Sequence, residues 1–105
     1  MSNLINQISN YINNFSIADK KMYVRGQLSD SAYNYMTRVE NVFFCDEFDS
    51  EIDFTRIPPN VEMLDFNKTF DQPLNNLPRT VKLVRLYRKY YSKHQLPPHC
   101  VKIIY

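Results

Sequence analysis

Two clusters in this sequence carry side chains of the metal-ligand type. Asp46, Glu47, Asp49, Glu51 and Asp53 crowd one short acidic stretch, and carboxylates at that density are the raw material of a calcium site. The stretch has neither the glycine nor the ligand spacing of a calcium loop, so it reads as a solvated loop. His94, His99 and Cys100 form the second cluster, and only the distant Cys45 could join them. Structural zinc needs four ligands, so no metal is expected here. No Ser or Cys stands beside a His in a nucleophile–base arrangement. Gly26 is the single glycine, which excludes the glycine-rich loops that bring backbone amides to phosphate. The chain reads as a non-enzyme without a cofactor.

The remaining chemistry is that of charge and aromatic rings. Net charge is only +2, but residues 39–71 hold nine acids and two bases, and residues 72–105 hold seven bases and no acid. Lys82, Arg85, Arg88, Lys89, Lys93 and Lys102 interleave with Tyr87, Tyr90 and Tyr91. That mixture suits phosphate contact and base stacking, so nucleic-acid binding by this basic, tyrosine-rich region is the alternative reading. Packing between neighbouring elements accounts for the same asymmetry in another way, developed below.

At 105 residues and 44% hydrophobic, the chain fits one modest core. No apolar run approaches a membrane span, and MSNLINQISNY lacks the basic region and cleavage site of a secretory signal. An intracellular, cytoplasmic setting is expected, with Cys45 and Cys100 reduced and buried as small hydrophobes. Asn14-Phe15-Ser16 and Asn67-Lys68-Thr69 are then chance sequons.

Residues 1–38 contain no proline and read as three short helices. Leu4, Ile5, Ile8, Ile12 and Phe15 make one apolar stripe at helical spacing. Asp19 is positioned to cap a second helix over Lys20–Arg25, and Ser29 or Asp30 a third with Tyr33 and Met36 on one face.

From residue 39 an internal repeat takes over. The run beginning Ile57-Pro58-Pro59-Asn60-Val61 recurs at Leu77-Pro78-Arg79-Thr80-Val81 and at Leu96-Pro97-Pro98-His99-Cys100, with an incomplete earlier copy at Val39–Phe44. The apolar positions repeat along with the prolines. One such unit of about 20 residues is a strand plus a return loop and cannot bury its own apolar face, so neighbours must stack. The expected architecture is α+β: a short N-terminal helical segment, then a short parallel β-solenoid. Val39, Val42 and Phe44 point inward, as do Val61, Leu64 and Phe66, then Val81, Val84 and Leu86, then Cys100, Ile103 and Tyr105. Phe48, Phe70 and Tyr90 fill the return side. Stacking at this register sets Glu62 beside Lys82 and Asp65 beside Arg85, opposite charges that fix which repeat follows which.

The runs LPRTVKLVRL and DFNKTFDQPLNNLP closely resemble the FNIP repeat, a leucine-rich-repeat-like unit, with Phe70-Asp71-Gln72-Pro73-Leu74 standing for its F-N-Q-P-I. The chain is similar in this to the F-box and FNIP repeat-containing proteins of mimiviruses, in a family abundant in amoebae and giant amoebal viruses. The eleven asparagines suit the AT-rich genomes of both. The likeness spans residues 39–105 as three to four repeats. It departs where the family's glycine would stand, at Asn67 and Tyr87, and where Tyr90-Tyr91-Ser92-Lys93-His94 replaces F-N-Q-P-I.

The resemblance implies a protein–protein interaction module. It also places residues 1–38, through Leu4, Ile5, Ile8, Ile12 and Phe15, where an F-box would bind the adaptor of a host cullin-type ubiquitin ligase, with the repeats holding the target protein. A helical cap on the first repeat is the other use of that segment. In a leucine-rich-repeat arrangement the partner-binding surface is Asn41, Phe43, Met63, Asp65, Leu83, Arg85, Lys102 and Ile104, with Phe43, Met63, Leu83 and Ile104 an exposed apolar row. The last strand, at the end of the chain, is expected to present an apolar edge for self-association.

Overall fold

The computed structural model describes residues 15–45, 48–74, 76–91, 98–99 and 101–104. Within them the chain is α+β, with a six-stranded sheet whose strands lie in sequence order: β1 (Phe15–Ala18), β2 (Lys21–Val24), β3 (Asn41–Phe44), β4 (Met63–Phe66), β5 (Leu83–Leu86) and β6 (Val101–Ile104). The sheet is mixed. β1 and β2 form an antiparallel hairpin, and each later neighbour is parallel. Two short helices, α1 (Asp30–Tyr35) and α2 (Arg88–Tyr91), lie in the connections.

The hairpin corrects the sequence reading of the N-terminal segment. Lys20–Arg25 was expected to be helical, yet Lys21–Val24 is β2, and Phe15 belongs to β1. Asp19 does not cap a helix; Asp19 and Lys20 are the turn, with φ of 51° and 62°. A two-residue hairpin turn of the type that matches strand twist needs positive φ at both positions. The pattern Lys21-Met22-Tyr23-Val24 decides for strand, because Met22 and Val24 are fully buried while Lys21 is exposed. The third helix forms as α1. Its Ser29 N-cap accepts a hydrogen bond from the Ala32 amide, and Tyr33 and Met36 are buried. The expected first helix, apart from Phe15, lies outside the described residues.

Strand pairing lines up Met22, Val42, Leu64 and Val84 across four strands, and Val24, Phe44 and Phe66 across three. Together with Val39, Val61, Val81 and Leu86 they are 0–1% exposed and build the sheet side of the core. Phe48, Phe70 and Tyr90 line the return side as expected, their rings stacked at centroid distances of 6.1 and 5.7 Å. Phe44 and Phe66 stack at 4.8 Å, and Phe66 meets Phe70 at 4.2 Å, so rings from strand and return loop interlock. Burial raises the Tyr90 hydroxyl pKa, with the Asp71 carboxylate adding to the effect. The hydroxyl donates to the Gln72 carbonyl at 2.6 Å.

Polar side chains bind one repeat to the one before. The Asn67 amide donates to the carbonyls of Phe44 and Phe48, and Asn60 donates to those of Met36 and Val39. The Asp49 carboxylate accepts the Asp71 amide at 2.7 Å, and the Gln72 side chain donates to the Asp49 carbonyl at 3.0 Å. The motif Phe-Asp-Gln thus supplies one ring for the core and two contacts to the preceding unit. Neither Asn67 nor Tyr87 takes positive φ. The backbone at the family's glycine position does not need a left-handed residue here, and Asn67 serves through its amide.

Two further expectations are corrected. β6 pairs Val84 with Lys102 and Leu86 with Ile104, one residue away from the alignment that set Lys102 beside Leu83. Val101, Ile103 and Ile104 offer apolar residues at both parities, so the pattern itself does not choose between registers. Cys45 is half-buried rather than buried, its thiol 3.5 Å from the Phe43 carbonyl. Cys100 and Tyr105 lie outside the described residues.

Candidate interaction surface

Alternation along each strand leaves one face of the sheet turned away from the core. Two rows cross that outer face. Lys21, Asn41, Met63 and Leu83 form the first; Tyr23, Phe43, Asp65 and Arg85 form the second. The parallel register is what brings residues about 20 positions apart in sequence side by side.

The apolar members form two pairs. The Tyr23 and Phe43 rings stack at 5.0 Å with 14° between their planes in the second row, and Met63 pairs with Leu83 in the first row on β4 and β5. Their exposure is lower than expected from sequence. Met63 is 8% exposed, and Phe43 and Leu83 are half-buried, because strands about 4.8 Å apart press neighbouring side chains together. Met63 nevertheless lies outside the main core cluster, on the opposite face. Tyr23 is the residue that sequence reasoning missed. Its trace was available: Met22 and Val24 stand 20 residues before Val42 and Phe44, the same step that separates later repeats.

Two charges on this face, Asp65 and Arg85, are paired. Arg85 lies 3.1 Å from Asp65, with side-chain exposures of 33% and 20%. Burial raises the Asp65 pKa, and the Arg85 guanidinium pulls it partly back. Just before the strands, Lys20 pairs with Glu40 and Lys82 with Glu62, each at 3.4 Å and well exposed. The expected juxtapositions of Glu62 with Lys82 and of Asp65 with Arg85 are therefore present. Exposed pairs of this kind add about 1 kcal/mol at most, so they serve register more than stability.

Of the expected surface, the fold brings together Asn41, Phe43, Met63, Asp65, Leu83 and Arg85. It sets Lys102 and Ile104 opposite core positions of β5 instead of in the outer rows. Among F-box-like positions, Phe15 is 6% exposed and part of the repeat core; Leu4, Ile5, Ile8 and Ile12 lie outside the described residues. Among the described residues no group of three or more His, Cys, Asp or Glu is arranged to hold a metal ion. The described His99 ring instead meets the Pro78 carbonyl at 2.9 Å. No described helix is long and apolar enough to cross a membrane.

Comparison with protein families agrees with this geometry. Residues 48–89, which run from the first ring of the aromatic column to the last turn before Tyr90, match the FNIP Repeat family model. Residues 48–89 are thus similar to FNIP repeats. FNIP repeats generally serve protein interaction. The matched segment holds β4 and β5, the contacts of Asp71 and Gln72 to Asp49 and the Asp65–Arg85 pair. The chain matches no curated protein and no solved structure.

Proposed function

We propose that this chain is a non-catalytic protein-interaction module, its FNIP repeats stacked as a short solenoid behind the N-terminal hairpin. The outer face of the sheet is its partner-binding surface. The observation that carries this reading is the Tyr23–Phe43 ring stack with the Met63–Leu83 pair, two apolar pairs on the face away from the core. Aromatic anchors of this kind dominate interface energetics. The module comprises residues 39–105 as repeats and residues 1–38 as a capping segment, and it acts in the cytoplasm.

The recruitment of a host ubiquitin ligase to a target protein is the sharper form of this proposal. It rests on the resemblance to F-box and FNIP proteins, and the loss of Phe15 to the core weakens it. Self-association through β6, an edge strand of the described sheet, is a separate proposal. The nucleic-acid alternative has less behind it, because Lys82 and Arg85 are both engaged by carboxylates.

The test is affinity capture from amoebal lysate with the wild type and with a Tyr23→Ala/Phe43→Ala/Leu83→Ala variant of native far-UV and thermal behaviour. A defined set of proteins retained by the first and lost by the second is expected. Equal capture by both would exclude this face, and recovery of an adaptor and cullin decides the ligase form. Light scattering across a wide concentration range tests self-association, and a monomer throughout would sink it.

A further inference from the structure

Packing accounts for only part of the basic, tyrosine-rich region. Lys82 and Arg85 are answered by Glu62 and Asp65, but Arg88 and Lys89 follow β5 in a stretch, residues 72–105, that holds no acid. The step of 20 residues that pairs Asp65 with Arg85 persists at Phe70 and Tyr90, whose rings stack at 5.7 Å. Lys68 and Arg88 are therefore equivalent positions of adjacent units, as are Thr69 and Lys89. Asp46 and Glu47 hold the same positions one unit earlier and lie outside the described residues. At the boundary between the β4 and β5 units the charges are alike, with Lys68, Arg88 and Lys89 all exposed. Adjacent strands lie about 4.8 Å apart, and like charges in register oppose stacking. Other charged contacts between units run the opposite way. Lys20–Glu40, Glu62–Lys82 and Asp65–Arg85 are of opposite sign, and where Glu40 and Glu62 are neighbours a lysine answers each.

A cavity opens at this boundary. Its volume is about 150 Å³, and it is lined by Lys68, Thr69, Phe70, Asp71, Lys89 and Tyr90. The turn that carries Lys68 is fixed, because the Thr69 amide and hydroxyl donate to the Asn67 side chain at 2.8 and 2.6 Å. Asp71 is anchored too, its amide donating to the Asp49 carboxylate at 2.7 Å. Three cations against the one Asp71 carboxylate leave an excess of positive charge that suits a phosphoryl dianion at neutral pH. Charge-assisted hydrogen bonds to such an oxyanion are stronger than neutral ones. We propose that this cavity is an oxyanion site for a phosphoryl group, contacted by Lys68 and Lys89, with Arg88 adding charge beside it. The bound group then offsets the like charges at the boundary of the two units. Tyr23, Phe43, Met63 and Leu83 do not line the cavity, so the outer-face reading stands or falls separately.

The test titrates the full chain with sodium phosphate at neutral pH and constant ionic strength, read by amide NMR shifts and by the denaturation midpoint. Saturable shifts centred on residues 68–71 and 88–90 are expected, with a midpoint that rises as phosphate binds. Lys68→Ala/Lys89→Ala, at two exposed positions, should weaken the apparent affinity about tenfold or more. Lys68→Glu should abolish the rise in midpoint. Equal, non-saturating shifts with sodium chloride would mean an adventitious ion only and overturn the proposal, as would unchanged affinity in the double variant. A capped phosphoserine peptide distinguishes the source of the group. Tighter binding than phosphate at the same amides supports the site as one for a phosphorylated partner, and binding no tighter supports it as one for the free ion. A single-stranded oligonucleotide that shifts these amides while neither phosphate nor the peptide does would assign the cations to nucleic acid and overturn the proposal.

Discussion

The Asp65 carboxylate lies 3.1 Å from the Arg85 guanidinium across the boundary between β4 and β5, on the outer face beside the apolar pairs. The pair is less exposed than Lys20–Glu40 or Glu62–Lys82, and the net effect of its surroundings on Asp65 is unfavourable to the charge. The sign follows. A carboxyl whose folded pKa is raised binds more protons in the native state than in the unfolded chain over the window between the ordinary and raised values. Stability from this group therefore increases as pH falls through the raised pKa. Wild type should gain on Asp65→Asn as pH is lowered from neutrality toward 4, and carboxyl NMR titration should place Asp65 above the ordinary aspartate value. Arg85→Ala should raise it further, since the guanidinium is the lowering influence. A midpoint at or below the ordinary value would contradict this account.

Asn67 makes four side-chain hydrogen bonds. Its amide donates to Phe44 and Phe48 carbonyls, and its oxygen accepts from the Thr69 amide and hydroxyl. Asn67→Ala leaves half-buried carbonyls short of a donor and should cost about 1–2 kcal/mol. Asn67→Asp keeps the Thr69 contacts but cannot donate, so it should cost about as much. Urea denaturation at constant m-value measures both. An aspartate variant as stable as wild type would show that the inter-repeat donation contributes nothing.

Phe70 touches Phe66, Phe48 and Tyr90, joining strand side and return side across three repeats. Phe70→Ala should cost about 3–5 kcal/mol, enough to unfold a small domain, whereas Phe70→Leu should cost less than about 1.5 kcal/mol. Thermal melts of the two variants provide the comparison. Similar losses for both would mean that ring stacking matters more here than volume.

The turn between β1 and β2 places an aspartate and a lysine at positive φ. Left-handed backbone costs a residue with a side chain about 1–2 kcal/mol, and Asn-Gly is the preferred occupant of such a turn. Asp19→Asn/Lys20→Gly should stabilise the fold by about 0.5–1 kcal/mol, after the entropy that glycine adds to the unfolded chain. The exposed Lys20–Glu40 pair lost in the process is worth little. Chemical denaturation of this variant checks the hairpin itself, because a helix over the same residues would be destabilised by the glycine.

Strands β3, β4 and β5 were legible because three apolar positions recur in each with the same spacing, and no helix reproduces Val61-Leu64-Phe66 beside Val81-Val84-Leu86. The Glu62–Lys82 and Asp65–Arg85 contacts followed directly from that register. β2 was harder. Four residues, Lys21 to Val24, are too short for period 2 to stand out from period 3.6, and tertiary pairing with β3 decides. β6 was misplaced by one residue because its apolar side chains occupy both parities. The outer surface was legible as a set of positions, but its half-buried state depends on Tyr23, which appears only once β2 is known to be a strand.

The Tyr23–Phe43 stack separates the two roles of the outer face. Ring pairs in this geometry contribute about 0.5–1.5 kcal/mol beyond area burial, so a double-mutant cycle of Tyr23→Ala and Phe43→Ala should return a coupling energy in that range for folding. If the stack is also part of the docking surface, each substitution should weaken partner binding by more than it weakens the fold, as interface anchors do. Calorimetric titration of a captured partner against the single variants, alongside their denaturation midpoints, gives both quantities. A folding coupling with no loss of binding would leave the rings as sheet-stabilising neighbours and move the interface off this face.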